Sequence, residues 1–240
     1  MAADVHLRRG PELPYDVVAG VKPCAAGWLV ASAKLRGTTF APEDPQVIET
    51  FVDVLDWRPA FVAIALDAPI GYLETAVPGG RQCDREARAL LGPRRGAAIQ
   101  SAPTRDQLEG AHVSLEGLNA VTRRLMRRYR EVAAEMAPYR QRTVYEVNAE
   151  LSFYQLNDDK PLHYSKRTAA GQQERRELLA AKVPGSARVF EAELARVPAS
   201  HMLDVAVFMW TARRCYAKAA TRMPEDPEWD ESGLRMEYVR

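Results

Sequence analysis

The stretch Phe61–Gly71 (FVAIALDAPIG) constrains this chain more than any other. Phe61 to Leu66 are uninterruptedly apolar. The run is short and includes β-branched Val62 and Ile64, which reads as a strand buried on both faces. Asp67 ends it, and Pro69 and Gly71 turn the chain. A carboxylate therefore stands where a buried strand gives way to a loop, the place where ligands collect in open α/β sheets. Taken alone, an aspartate here more often accepts hydrogen bonds from the amides of its own turn.

The flanking sequence supplies the partners such a strand needs. Tyr15–Val21 is a second apolar run, closed by Lys22 and Pro23. Gly27–Leu35 alternates partly and follows through a tight connection at Ala25-Ala26. Thr38–Ala41 opens a third strand. Over Pro45–Trp57 the period changes: Val47, Ile48, Phe51, Val52 and Leu55 fall on one helical face, and Pro45 suits a first turn. That crossover helix lets Phe61–Leu66 lie parallel to an earlier strand. Further on, the pattern predicts helices over Gln82–Leu91 and Ser114–Met136, with a loop from Gly92 to Pro103 between them. The seam of the second helix is Val121, Leu125, Tyr129, Val132 and Met136. Its five arginines (Arg123, Arg124, Arg127, Arg128, Arg130) suit either a phosphate grip or a solvated face. A fifth strand is expected at Thr143–Val147, a charged loop at Asn157–Thr168, and helices near Gln172–Lys182, Ala187–Arg196 and Pro198–Ala220. Leu234–Val239 reads as an edge strand. Residues 1–14 form a lead-in, and residues 15–240 are expected to be one domain.

Composition excludes several classes. The net charge of +1 gives no global basic field, so any nucleic-acid contact must be local. Cys24, Cys83 and Cys215 are an odd number with no metal-ligand spacing, which points to free thiols in a reducing compartment. No apolar run approaches the about 18 residues of a membrane helix, and the start lacks an apolar signal core. A cytoplasmic protein is expected. The four histidines make no zinc pattern. Phosphate-loop, dinucleotide-glycine and nucleophile-elbow motifs are absent.

Three carboxylates remain. Asp204 sits in HMLDVAVFMWTA, which is apolar nearly all round, so its charge needs a cation, a partner or a route to water. A salt bridge, or a place in the first helical turn, would satisfy it. Asp67, Glu146 and Asp204 come from strand ends and the start of a helix. Carboxylates converging from such places can hold Mg²⁺ or Mn²⁺. Two such ions would stabilise both oxygens of a phosphodiester displacement.

Several ordered stretches resemble a family, the domain of unknown function family 429, whose members are described as predicted nucleases of the ribonuclease H-like fold. They are AGVKPCAAGWLVA, IALDAPIGY, RQCDREARALLG, YEVNAELSFYQLN, YSKRTAAG, LDVAVFMWTA and GLRMEY. The resemblance implies an α/β fold: a ribonuclease H-like mixed five-stranded central sheet flanked by helices, with helical insertions. It implies a metal-dependent nuclease acting on nucleic acid, with Asp67, Glu146 and Asp204 as the acidic positions and Glu150 as a fourth. Substrate contacts would come from Arg81, Ser165, Lys166 and Arg167. One position departs from the pattern. Family members read Gly-Val-Asp on the first strand, where the aspartate is a central metal ligand; this chain reads Gly20-Val21-Lys22. A lysine about 5 Å from a divalent ion costs roughly 6–7 kcal/mol at an effective dielectric near 20. Lys22 therefore sets up a second expectation, a catalytically silent binding protein of the same fold in which the ammonium replaces the ion.

Overall fold

The computed structural model describes residues 14–110 and 114–240. The expected lead-in, apart from Pro14, lies outside the described residues, as do His6 and His112. Strands β1 (Asp16–Cys24) and β2 (Gly27–Arg36) form an antiparallel hairpin, with Cys24 facing Gly27 across Ala25 and Ala26. Two short strands then pair with successive stretches of β2. These are β3 (Thr39–Pro42), against Ala33–Arg36, and β4 (Gln46–Ile48), against Trp28–Val30. Strand β5 (Phe61–Leu66) lies parallel to β1, and β6 (Val144–Glu146) lies parallel to β5. The order is β3-β2-β1-β5-β6, with β4 beside β2. The sheet thus has six strands where five were expected.

The added strand has a local cause. Val47 and Ile48 fit a helical stripe with Phe51, but their backbones complete the ladder of β2. The helix starts only where Thr50 caps it, accepting from the Asp53 amide at 3.2 Å. It is α1 (Phe51–Leu55). The helices after it are α2 (Gln82–Gly96), α3 (Arg105–Glu109), α4 (Ala120–Glu135), α5 (Ala149–Leu156), α6 (Ala169–Lys182), α7 (Ala187–Phe190) and α8 (Ala199–Tyr216). Among the described residues, no helix is long and apolar enough to cross a membrane.

Alternation along β1 and β5 divides the core in two, because successive side chains point to opposite faces of a sheet. Val17, Ala19, Val21, Ile64 and Leu66 pack towards α1 and α4. Val18, Ala63 and Ala65 pack towards α5, α6 and α8. Helix α8 crosses β1 so closely that a Cβ on Gly20 would lie 2.4 Å from Met209 N and 2.5 Å from Val205 O. A bare backbone at Gly20 is what lets the helix seat there, and it brings Asp204, one residue before Val205, to the end of β1.

Other boundaries moved for local reasons. Helix α4 starts at Ala120, six residues beyond Ser114, because the Asn119 side chain caps the Val121 and Thr122 amides at 2.8 and 2.9 Å. Helix α2 runs on through a kink at Gly92, where φ is +70°, into the expected loop. Helices α3 and α5 were not anticipated; Thr104 and Asn148 cap them. Helix α7 ends at Phe190, well short of Arg196. Of the expected edge strand, only β8 (Tyr238–Val239) forms, paired with β7 (Arg222–Met223) in a separate sheet.

Candidate functional site

The parallel pairing of β1, β5 and β6 stops on one level, with Val21 abreast of Leu66 and Leu66 abreast of Glu146; β5 and β6 end there, while β1 runs on to Cys24 against β2. The Asp67 amide donates to the Val21 carbonyl at 2.9 Å. Lys22 and Asp67 are therefore the next residues on neighbouring strands. Lys22 shares the α8 side of β1 with Gly20, two residues earlier. Its ammonium pairs with Asp67 and lies 3.4 Å from Asp204 Oδ2. Lys166 Nζ donates to the same Oδ2 at 2.9 Å.

These charges are buried and hold one another ionised. Lys22 is 9% exposed and Asp204 is 0% exposed. Burial alone would lower the Lys22 pKa, but Asp67 and Asp204 hold it above its ordinary value. Burial alone would raise Asp204, but Lys166 and Lys22 keep it below the ordinary carboxylate value. One turn earlier on α8, burial and then the Lys22 charge push the His201 imidazole down to about 4. Among the described residues, Asp204 Oδ1 and His201 Nδ1 have no hydrogen-bond partner.

Glu146 goes elsewhere. Its parity matches Leu66 and Val144, which face α4, so its carboxylate turns away from Lys22 and meets Arg81. The pair is a double fork, Nη2 to Oε1 at 2.5 Å and Nη1 to Oε2 at 2.9 Å, with the Ile70 amide donating at 2.6 Å. Asp84 holds the other side of the same guanidinium at 3.0 Å, and the Tyr238 hydroxyl donates to Asp84 at 3.0 Å. One guanidinium thus serves two wholly buried carboxylates. Burial pushes Glu146 up to about 7 against the pull of Arg81, and the Asp84 charge adds to the rise.

Glu150 is also engaged. Arg175 donates to it at 2.7 Å and to the Tyr164 and Gly171 carbonyls at 3.2 and 2.9 Å. Arg95 Nη1 donates to the Tyr164 carbonyl at 3.0 Å. The loop bearing Ser165, Lys166 and Arg167 is thereby tied both to α5 and to the end of α2.

These elements enclose a cleft of about 550 Å³. Lys22, Asp67, Glu146, Glu150, Ser165, Lys166 and Arg167 line it, joined by Arg94 and Arg95 from α2 and by Asn119, Val121, Leu125 and Tyr129 from α4. Asp204 lies beneath Lys22. Arg81 is 1% exposed and reaches Glu146 from below, so it positions that carboxylate and does not itself line the cleft. Val121, expected in the buried seam, is 47% exposed and forms cleft wall with Leu125; Met126 takes the core position. None of the five α4 arginines lines the cleft. Arg128 packs back on Glu131 at 2.7 Å, and Arg130 donates to the Leu108 carbonyl. The three cysteines are buried and free. Arg94, Arg95 and Asn148 were the sequence signals for the missed lining; the arginines stood in an expected loop, and Asn148 marked an unrecognised helix cap.

Asp67, Asp204 and Glu146 each face a cation, and Glu146 leaves the sheet on the other side. Among the described residues, no three His, Cys, Asp or Glu side chains are placed to share one metal ion. As arranged, the acidic set does not fit a divalent cation, because the Lys22 ammonium stands between the two aspartates that would chelate it.

An α/β protein with a mixed sheet, and with charged side chains gathered where its parallel strands end, is the class that fold and site define. The family model described as "Protein of unknown function (DUF429)" matches residues 20–229, and the chain belongs to that family. No curated protein and no solved structure matches it.

Proposed function

We infer that this chain is a ribonuclease H-like domain that binds nucleic acid in the cleft without metal-dependent cleavage. The sheet order β3-β2-β1-β5-β6, with three antiparallel strands followed by two parallel ones, supports the fold assignment. The observation that carries the functional reading is the Lys22 ammonium between Asp67 and Asp204. An ammonium there supplies a fixed positive charge where a metal ion would supply a dissociable one. It neutralises the carboxylates, so a phosphate can approach, but it offers no coordination site for an attacking water.

Calorimetric titration with Mn²⁺ tests this, run on wild type and on Lys22→Asp beside a cleavage assay on a labelled single-stranded oligonucleotide. Wild type is expected to bind the oligonucleotide, to take up no Mn²⁺ and to leave the strand intact. Lys22→Asp is expected to gain Mn²⁺ binding. Manganese-dependent turnover by wild type that disappears in Asp67→Asn would reinstate the nuclease and sink this reading.

A further inference from the structure

The carboxylates of the cleft are all spoken for, and some of its cations are not. Asp67 and Asp204 share Lys22 and Lys166, Glu146 holds Arg81, and Glu150 holds Arg175. Among the described residues, Arg94, Arg95 and Arg167 have no carboxylate within ion-pair distance, yet all three line the cleft. With Asp84 on the far side of Arg81 counted, the seven cations in and beneath it exceed the five carboxylates by two, and the three arginines without a carboxylate all face the cleft itself. The excess is not spread over a surface. Arg94 and Arg95 end α2, and Arg167 sits on the loop that Arg95 ties to α2 through Tyr164. Helix α4 also directs its N-terminal end, with the partial positive charge of the helix dipole, at the cleft through Asn119 and Ala120.

The lining is also divided. Val121, Leu125 and Tyr129 of α4 are an apolar and aromatic wall open to the cleft, while the guanidinium groups come from α2 and the 165–167 loop. A ligand that suits both parts carries a flat, weakly polar ring at one end and a dense negative charge at the other. A phosphomonoester carries about −1.5 to −2 charges near neutral pH, whereas a phosphodiester carries about −1. Three unpaired guanidinium groups match a monoester and the diester next to it better than they match a diester alone, and guanidinium binds phosphate oxygens in pairs. The volume suits one or two nucleotides more than a passing duplex, since pockets of about 300–1,000 Å³ hold single small ligands. The tie between α2 and the loop also joins two walls where a through-running strand would need a gap.

The geometry points to a site for the terminal phosphate of a nucleotide, with the phosphate on Arg94, Arg95 and Arg167 and the base against Val121, Leu125 and Tyr129. This rests on the proposed nucleic-acid reading of the cleft. The ligand has two sources, a free nucleoside monophosphate or the phosphorylated end of a strand.

The test is calorimetric binding to the full chain with four probes. They are a nucleoside 5′-monophosphate, and a single-stranded hexanucleotide with a phosphate at its 5′ end, at its 3′ end, or with hydroxyls at both. A phosphorylated probe, free or in a strand, is expected to bind at least tenfold more tightly than the hydroxyl-ended strand. The double variant Arg94→Ser, Arg167→Ser is expected to lose most of that preference. Both side chains are exposed and make no ion pair among the described residues, so an unchanged melting temperature would tie the loss to the site. Tight binding of the monophosphate with no strand bound would keep the phosphate site and overturn the nucleic-acid reading. Equal binding of all strands, unaltered in the double variant, would overturn the terminal-phosphate site and leave the nucleic-acid reading standing. Binding of no probe would overturn both.

Discussion

At the level of single residues, the site is a set of buried charges that balance only as a group. His201 shows what that does to pH dependence. In the unfolded chain its imidazole titrates near its ordinary value of 6.5; in the fold, burial and the Lys22 charge push it down to about 4. A base held down in the fold takes up its proton first in the unfolded chain. Its contribution is therefore fully present above pH 6.5 and is lost as the pH falls towards 4. By linkage the loss approaches about 3 kcal/mol, less whatever solvent relieves at this partly exposed position. Glu146 works in the opposite sense over much of the same range, because its folded pKa is raised. The wild-type curve alone therefore does not isolate His201, but a difference curve does. His201→Gln is expected to flatten the decline between pH 6.5 and 4 relative to wild type, read from urea midpoints at half-unit steps. Parallel curves would mean that folding does not depress the His201 pKa, and that the charge set around Lys22 is misassigned.

Secondary-structure elements hold this set in place, chiefly through the crossing of α8 over β1. A methyl group on Gly20 has no room, since the atoms it would meet are two backbone atoms of α8 and the Phe208 Cβ, none of which can rotate aside. Gly20→Ala is expected to cost about 3 kcal/mol, the upper part of the range for overpacked cores, and to weaken ligand binding by moving Asp204 away from Lys22. A variant with wild-type stability in urea would show that the helix is not seated on β1 as described. The same elements explain what was legible beforehand. The hairpin, β5 and α8 were readable because unbroken apolar runs and their Pro or Gly stops leave few alternatives. Strand β4 was hidden because Val47 and Ile48 also satisfy a helical period with Phe51. Helix α5 was hidden because it is buried on nearly every side, Glu150 and Ser152 included, and so shows no stripe. Asp67 and Lys22 could be placed together from the ends of two parallel strands. The pairing of Glu146 with Arg81 could not, because the two are 65 residues apart and only the parity of β6 turns that carboxylate away from the aspartates.

Over the whole molecule, charge is nearly balanced, with 33 basic and 32 acidic residues. A balanced chain has no long-range field to gather a polyanion, so attraction must come from the three cleft arginines that have no carboxylate partner among the described residues. The arginines of α4 do not add to it, since none lines the cleft and Arg128 and Arg130 are turned to the protein's own acceptors. Salt dependence separates the two arrangements. Each phosphate neutralised on a single strand contributes roughly −0.7 to the slope of log K against log salt, so three contacts give about −2, a weakening of roughly 15-fold between 50 and 200 mM salt. That slope is expected for a phosphorylated hexanucleotide, and in Arg94→Ser, Arg167→Ser it should fall by about two-thirds, because two of the three guanidinium groups without a carboxylate partner are gone. A slope near −4 or steeper, unaffected by that variant, would mean that the strand follows the exposed arginines of α4 instead. The cleft would then be a structural consequence of the strand ends, and not the place where the molecule meets its ligand.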